Sequence, residues 1–442
     1  MAHSEAVAEQ HNDRQIPNQE VFPPYWKRNF AANFVDVLFF SLALAFASMN
    51  TIMPVFIRQL GGSALVVGLV PAIVQTGQLL PPLFAAPYIA PLQRKLPFLL
   101  KVTLGERLPW PLLAVGCIVL AQRAPLAMLG LTIVLLGIFG LAGGIAVPAW
   151  MDLVARATPL RMRGKLFGWS GALSGLLGVG GGLAAERMLA RWAFPYNFAA
   201  CFVAASVCML VSFVALVAIR EPRVEEQIAS VPLHAYVRQL PALLRRDRDF
   251  SLFIVVRILG SLAGMAAAFV TLYATEQHSL PPSIAGRFTA AMLGTQVITT
   301  PFFGMLADRR GYKHSLQFAL LAQTVAMLLS LVVTTAGGFS VVFGLLGATT
   351  GLLFTTTLNM VVEFAPATER VTYLGLHGTL IAPATLAAPL IGGWLAQWGG
   401  YPLAFSVAAV CGSAALFLLT FFVRDPRHRQ EAPTIDSAQT AQ

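Results

Sequence analysis

Charge is what this sequence has least of. Only 11% of its 442 residues are Asp, Glu, Lys or Arg, where a soluble domain carries about 25%. With 57% hydrophobic residues and a mean hydropathy of +0.70, no adequate water-facing surface can be assembled from it. An ordinary soluble enzyme or binding module is thereby excluded. Cysteine is scarce too: Cys117, Cys201, Cys208 and Cys411 each sit inside an apolar block. Without ligand or disulfide spacing they read as small buried hydrophobes, and neither a metal nor another cofactor is expected. A nucleotide-binding loop is missing, which argues against direct ATP drive. So is any convergent grouping of His, Asp and Glu, and the chain reads as a non-enzyme. The first 30 residues lack the order of a cleavable signal peptide and read as a retained tail.

What the sequence does have is apolar blocks of the length needed to cross a hydrocarbon core, about 20 residues each. They fall at 31–57, 65–91, 97–121, 126–150, 166–188, 194–219, 250–275, 284–306, 315–335, 339–362, 371–397 and 401–423, and predict an all-α polytopic membrane protein of twelve transmembrane helices, numbered here as spans 1 to 12. The domain plan is a tail (1–30), a six-helix half (31–219), a linker (220–249), a second six-helix half (250–423) and a second tail (424–442). Within the linker, "VPLHAYVRQLPALL" has the pattern of a short interfacial helix. Lys27, Arg28, Arg94, Lys95, Arg161, Arg163, Lys165, Arg309, Arg310, Lys313 and Arg370 all fall on one side of the alternating topology, whereas Arg58, Arg123, Arg187, Arg191 and Arg287 mark the other. That bias puts both termini in the cytoplasm, with the protein in the cell inner membrane. The net charge of +10 is thus a topology signal and not a nucleic-acid face.

The two halves can be laid over one another. "GLVPAIVQTGQLLPPLFAAPYIAPLQRK" matches "GRFTAAMLGTQVITTPFFGMLADRRGYK", pairing Gln78 with Gln296 and Lys95 with Lys313; "PLRMRGKLFG" matches "PATERVTYLG", pairing Arg163 with Arg370. Both matches fall on equivalent connectors, which implies a parallel repeat about an axis along the membrane normal.

At "GMLADRRGYK" the chain resembles a major facilitator superfamily transporter, over about residues 30 to 425. Gly304, Asp308, Arg309, Gly311 and Lys313 match that family's loop motif between spans 8 and 9. The copy between spans 2 and 3, "APYIAPLQRK", keeps Arg94 and Lys95 but has neither the Asp nor the closing Gly. The resemblance implies a gating role: Asp308 pinning the loop against the start of span 5, near Arg163 to Gly168, when the cytoplasmic side is closed. Glu369 fits either helix-end electrostatics after span 10 or a contact with Arg94 across the degraded loop, as a latch of reversed polarity.

Charges inside spans are costly unless paired or facing water, so Glu106 and Arg107, adjacent in span 3, stand out. Adjacent helical residues point about 100° apart, so the two are not expected to face one cavity together. Glu106 fits either a proton-coupling carboxylate or a structural ion pair. Asp36 and Arg257 lie at matching depth in the counterpart spans 1 and 7; Asp36 fits a proton carrier, a structural contact or one side of a gate pair. His377 in span 11 fits a packed or hydrogen-bonding residue as well as a titrating one. Asn33, Asn50, Gln75, Gln78, Gln296 and Asn359 are uncharged polar groups able to line a cavity for a neutral or amphiphilic solute. The glycines of "GWSGALSGLLGVGGG" predict close helix approach along span 5. The family's drug/proton antiporters carry a proline-containing glycine motif in span 5 and an Arg in span 4, and this chain has neither.

The function expected is alternating-access transport of a small solute, coupled to protons, by a monomer in the lipid bilayer. The alternatives are multidrug efflux by proton antiport, facilitated diffusion, and a sensor or lipid-handling protein on the same scaffold.

Overall fold

The apolar blocks are helical throughout the described residues, which are 25–89, 91–222, 246–366 and 369–425 of a computed structural model. The helix is interrupted before Pro81 and Pro109, and without proline at 47–51 and 264–266, whereas Pro71, Pro148, Pro301, Pro383 and Pro389 are carried inside helices. Span 1 is Trp26–Phe46 and Ile52–Gln59; span 2 is Ala64–Leu79 and Pro81–Ile89; span 3 is Leu96–Arg107 and Pro109–Leu120. Spans 4, 5 and 6 are Pro125–Ala157, Leu160–Arg191 and Tyr196–Val217. Span 7 is Arg248–Ala263 and Ala267–Glu276, and spans 8, 9 and 10 are Ile284–Arg310, Tyr312–Ser330 and Ala336–Phe364.

Spans 11 and 12 run on as Arg370–Phe421, with Gly400 at φ +78° breaking the helix between them. That left-handed conformation favours glycine, so the turn between two spans is made by one residue. Nine helices among the described residues are long and apolar enough to cross a membrane. One of these holds spans 11 and 12, and the shorter pieces of span 2 together with span 9 complete the twelve. The interfacial helix expected in the linker, and the tails beyond 25 and 425, lie outside the described residues.

Packing is asymmetric along the bundle axis. One buried apolar cluster draws on both halves, joining Phe56, Trp110 and Phe202 to Phe269, Phe288 and Phe405. It sits at the end remote from Tyr25 and Asp425. At the end that carries those residues there are two separate clusters, one per half: Leu99, Leu153 and Leu216 in the first, Phe253, Leu320 and Tyr373 in the second.

Polar contacts follow the same division. At the remote end Arg58 Nε meets Glu276 Oε1 at 2.5 Å, Arg287 Nη2 meets Glu186 Oε1 at 2.6 Å, and the hydroxyls of Thr51 and Thr289 are 2.5 Å apart. All three cross between halves. Spans 5 and 8 touch there backbone to backbone: a Cβ added to Gly286 would lie 2.2 Å from Glu186 N and 2.5 Å from Gly182 O. Spans 2 and 11 do the same, with a Cβ on Gly68 falling 2.1 Å from Pro389 O.

At the opposite end Lys95 pairs with Asp152, Arg156 with Asp152, and Arg246, at the end of the linker, with Glu369 of the second half; none of these three pairs joins the two halves. Cβ positions on Gly164, Gly168 and Gly304 would meet nothing within 4 Å. Among the described residues the two halves are therefore joined at the remote end and splayed at the end bearing the described termini.

Candidate functional site

The site grows from the buried face of span 1, where Asn29, Asn33, Asp36 and Phe40 recur at helical spacing. Asn29 clasps the end of span 6: its Nδ2 donates to Arg220 O and its Oδ1 accepts from Arg220 N, both at 2.9 Å. Arg28 Nε adds a bond to Ala218 O at 2.9 Å. These contacts satisfy backbone groups that a helix end leaves open and fix spans 1 and 6 side by side. Asn33 donates to Asn29 O at 2.9 Å. Two turns on from Asn29, Asp36 then faces Ser212 of span 6, whose hydroxyl donates to Asp36 Oδ1 at 2.6 Å.

Span 3 brings the counter-charge. Arg107 ends its first helical piece, just before the break at Leu108 and Pro109. Its Nη1 donates to Glu106 Oε2 at 2.6 Å, and its Nη2 to Ser212 Oγ at 3.1 Å and to Asp36 Oδ1 at 3.4 Å. The rings of Phe40 and Phe213 flank the guanidinium at 5.6 and 6.0 Å, within cation–π range. Asp36, Glu106 and Arg107 are 5%, 7% and 8% exposed.

Two carboxylates thus share one guanidinium, and the cluster becomes neutral when one of them carries a proton. It borders a cavity of about 210 Å³ whose wall includes Asp36, Phe40, Thr103, Glu106, Arg107 and Trp150. The expectation that Glu106 and Arg107 would not face one cavity is corrected. The arginine stem is long enough to fold back on its neighbour, so both side chains line the same space.

The second half holds the counterpart of Asp36, and it is a cation. Arg257 in span 7 forms no ion pair with a described residue, so a gate pair with Asp36 is not made here; Asp36 is engaged by Arg107 and Ser212 instead. His377 lies near Arg257, its ring stacked on Phe253 at a centroid distance of 6.0 Å.

The described contacts of the loop lysine, Lys313, stay within the second half. Lys313 Nζ donates to Thr420 O at 3.2 Å and Val423 O at 2.8 Å, placing a cation on the open carbonyls of span 12. Gly311, at φ +92°, leaves room for the Asp425 carboxylate, which would lie 2.9 Å from any Cβ there. The first half repeats this arrangement. Lys95 Nζ donates to Ile89 O at 3.0 Å, and the amides of Lys95 and Leu96 donate to the Glu221 carboxylate at 2.8 and 2.9 Å. An acid after span 6 therefore sits on the start of span 3, as an acid after span 12 sits on the start of span 9.

Arg163 folds back on its own connector, bonding Thr158 O and Ala155 O. Arg94 and Arg309 are exposed, and the side chain of Asp308 lies outside the described atoms. Glu369 pairs with Arg246 and not with Arg94; this bond holds Arg246 protonated above its ordinary range. The carbonyl of Asn50 accepts from Thr271 Oγ1 at 3.3 Å, tying the break in span 1 to span 7. Gln78 and Glu106 both flank Gly143, and Gln296 packs beside Gly351. Gln75 and Asn359 are half-buried.

Sequence reasoning did not single out Ser212, Trp150, Phe213, Glu221 or Arg246. Ser212 and Trp150 carry no signal in a single sequence, since an isolated Ser or Trp in an apolar block is ordinary. Glu221 and Arg246 fell inside the charged linker, where nothing distinguishes a capping or paired residue from a solvated one.

The family model described as Major Facilitator Superfamily matches residues 252–441. Among curated relatives, the multidrug resistance protein MdtG of Escherichia fergusonii is 27% identical over 309 residues, covering 68% of this chain and 72% of that protein. MdtG of Salmonella paratyphi C is 26% identical over 406 residues, covering 88% and 93%. Among solved structures, a D-xylose–proton symporter superposes with a TM-score of 0.68 at 14% identity, over 91% of this chain and 99% of that one. The nucleoside transporter NupG gives 0.63 at 9% identity, over 90% and 98%. At such identities the structural matches speak for the fold.

Proposed function

We propose that this chain, which matches the Major Facilitator Superfamily model over residues 252–441, belongs to that superfamily and exports amphipathic solutes across the bacterial inner membrane in exchange for protons. The observation that carries the reading is the buried Asp36–Glu106–Arg107–Ser212 cluster beside a partly aromatic cavity. Its two carboxylates and single guanidinium leave room for one proton, which is the cargo an antiporter must take up and release. The multidrug resistance relatives favour efflux over uptake, although the antiporter motif of span 5 is missing.

In this reading both termini are cytoplasmic, and the splayed end opens to the cytoplasm. The state seen is then inward-facing, ready to take a solute from the cell interior or the inner leaflet. Closing that end would bring the loop carrying Asp308 against the start of span 5 and part the remote-end contacts of spans 1, 5, 7 and 8. The halves 31–219 and 250–423 would rock as units, with 220–249 as the tether and a single copy sufficient.

The test is flux in proteoliposomes of the full-length protein loaded with acidic buffer and diluted into alkaline buffer. Rhodamine B or its ethyl ester is expected to concentrate in the acidic lumen against its own gradient, and to stop when an ionophore collapses the pH difference. Movement only down the dye gradient, indifferent to pH, would make the protein a facilitator and remove the antiport reading.

A further inference from the structure

Arg257 is the one membrane-embedded cation of the second half whose surroundings call for a partner that the described chain does not supply. Its Nε and Nη1 are sealed from solvent with no hydrogen-bond partner. The guanidinium is wedged where span 7 meets its neighbours: a Cβ on Gly260, one turn on, would lie 3.7 Å from Nη1 and 3.2 Å from Leu320 of span 9. From span 11, His377 presents a second unused polar atom, a buried Nε2 without a partner. Its ring is held in place by stacking on Phe253, one turn before Arg257.

Burying an unpaired guanidinium is expensive, and orphaned polar atoms of this kind are rare in native structures. The buried arginine of the first half shows the contrast, since Arg107 in span 3 has two carboxylates and a hydroxyl. The first-half cluster is thus one charge short of neutral on the acidic side, and the second half has a cation in excess.

We infer that Arg257 and His377 form an anion subsite that takes the carboxylate of the transported solute, leaving the solute's apolar body among neighbouring aromatic and aliphatic side chains. The guanidinium plane matches a planar carboxylate, and the imidazole adds a second donor. One arginine and one histidine suit a single negative charge and fall short of what a dianionic phosphate requires. The inference rests on the exporter reading and narrows it, to amphipathic monocarboxylates and to zwitterions whose cationic end faces the acidic first-half cluster.

The experiment is thermal unfolding of the full-length protein in detergent at fixed sodium chloride. The probes are benzoate, 2-naphthoate and rhodamine B, each paired with its neutral or esterified counterpart (benzamide, 2-naphthamide, rhodamine B ethyl ester). At least one free carboxylate is expected to raise the Tm by several degrees over its counterpart. Arg257→Met is expected to abolish that preference while unfolding no lower than the wild type without ligand, because the orphaned charge is gone. Arg257→Lys keeps the charge without the planar fork, and should retain the preference with affinity about tenfold weaker; His377→Gln should weaken it less.

Equal responses to every carboxylate and its counterpart overturn the subsite, as does a carboxylate preference that survives Arg257→Met. A rise with chloride alone, matching that with carboxylates, also overturns it. The exporter reading fails separately. Gradient-driven dye flux without carboxylate preference removes the subsite and leaves the antiporter, and the converse result removes the antiporter and leaves the subsite.

Discussion

Arg107→Met alone is expected to yield little folded protein. Asp36 and Glu106 are both below 10% exposed, and Arg107 is the cation that reaches each of them. Removing one partner of a buried pair costs about 3–5 kcal/mol, because the remaining charge stays buried and uncompensated; here two carboxylates are left together. The sharper expectation concerns the triple variant Asp36→Asn, Glu106→Gln, Arg107→Met. It has no buried charge at this site and nearly the same shape, and should return to near wild-type yield and melting temperature in detergent. It should also be unable to use a pH gradient. Rescue of folding without rescue of coupling would separate the structural role of the arginine from the proton-handling role of the acids. A single Arg107→Met variant as abundant and stable as the wild type would mean that Arg107 does not hold the cluster together.

Gly286→Val should be nearly as damaging to transport while sparing the fold of each half. The atoms nearest a new Cβ at position 286 are all backbone, with Glu186 N at 2.2 Å, Gly182 O at 2.5 Å and Glu186 Cα at 2.6 Å. No side-chain rotamer can relieve such an overlap, so spans 5 and 8 must separate at the remote end. Alternating access requires that end to close, and the variant is expected to lose more than about tenfold of its flux, equivalent to roughly 1.4 kcal/mol or more. Spin labels at positions 187 and 282 would report the separation as a longer distance. An unchanged distance distribution with full activity would show that the contact is not part of the cycle.

The architecture was legible because the bilayer imposes it. Long apolar blocks, proline breaks and the one-sided placement of Lys and Arg need no tertiary information. The internal match of Lys95 with Lys313 carried further than topology, since each lysine caps backbone carbonyls at the same end of its half. The acids that complete the two arrangements, Glu221 and Asp425, were not legible, because both sit in polar segments after a span where a carboxylate is unremarked.

The candidate site was half legible. Charge in an apolar block marked Asp36, Glu106, Arg107 and Arg257 directly. Their pairing was not readable, because it depends on which faces of spans 1, 3 and 6 meet. Asp36 and Ser212 are 176 positions apart, and Asp36 and Arg107 are 71 apart. The 100° argument about Glu106 and Arg107 failed for a related reason: it tracks Cβ directions, whereas a guanidinium can turn back across them. The partner of Glu369 was not readable either, because Arg246 lies in the charged linker, where nothing marks it out.

In the proposed cycle the Asp36–Glu106–Arg107 cluster carries the proton that drives export. The most direct measurement compares uphill and downhill movement of rhodamine B in the same proteoliposomes, for the wild type, Glu106→Gln and Asp36→Asn. The wild type is predicted to concentrate the dye on an imposed pH gradient. At least one of the two neutral variants is predicted to exchange dye down its own gradient at a comparable rate, yet fail to concentrate it. If both variants still drive the dye uphill on the pH gradient alone, the proton is carried elsewhere and the claim is contradicted.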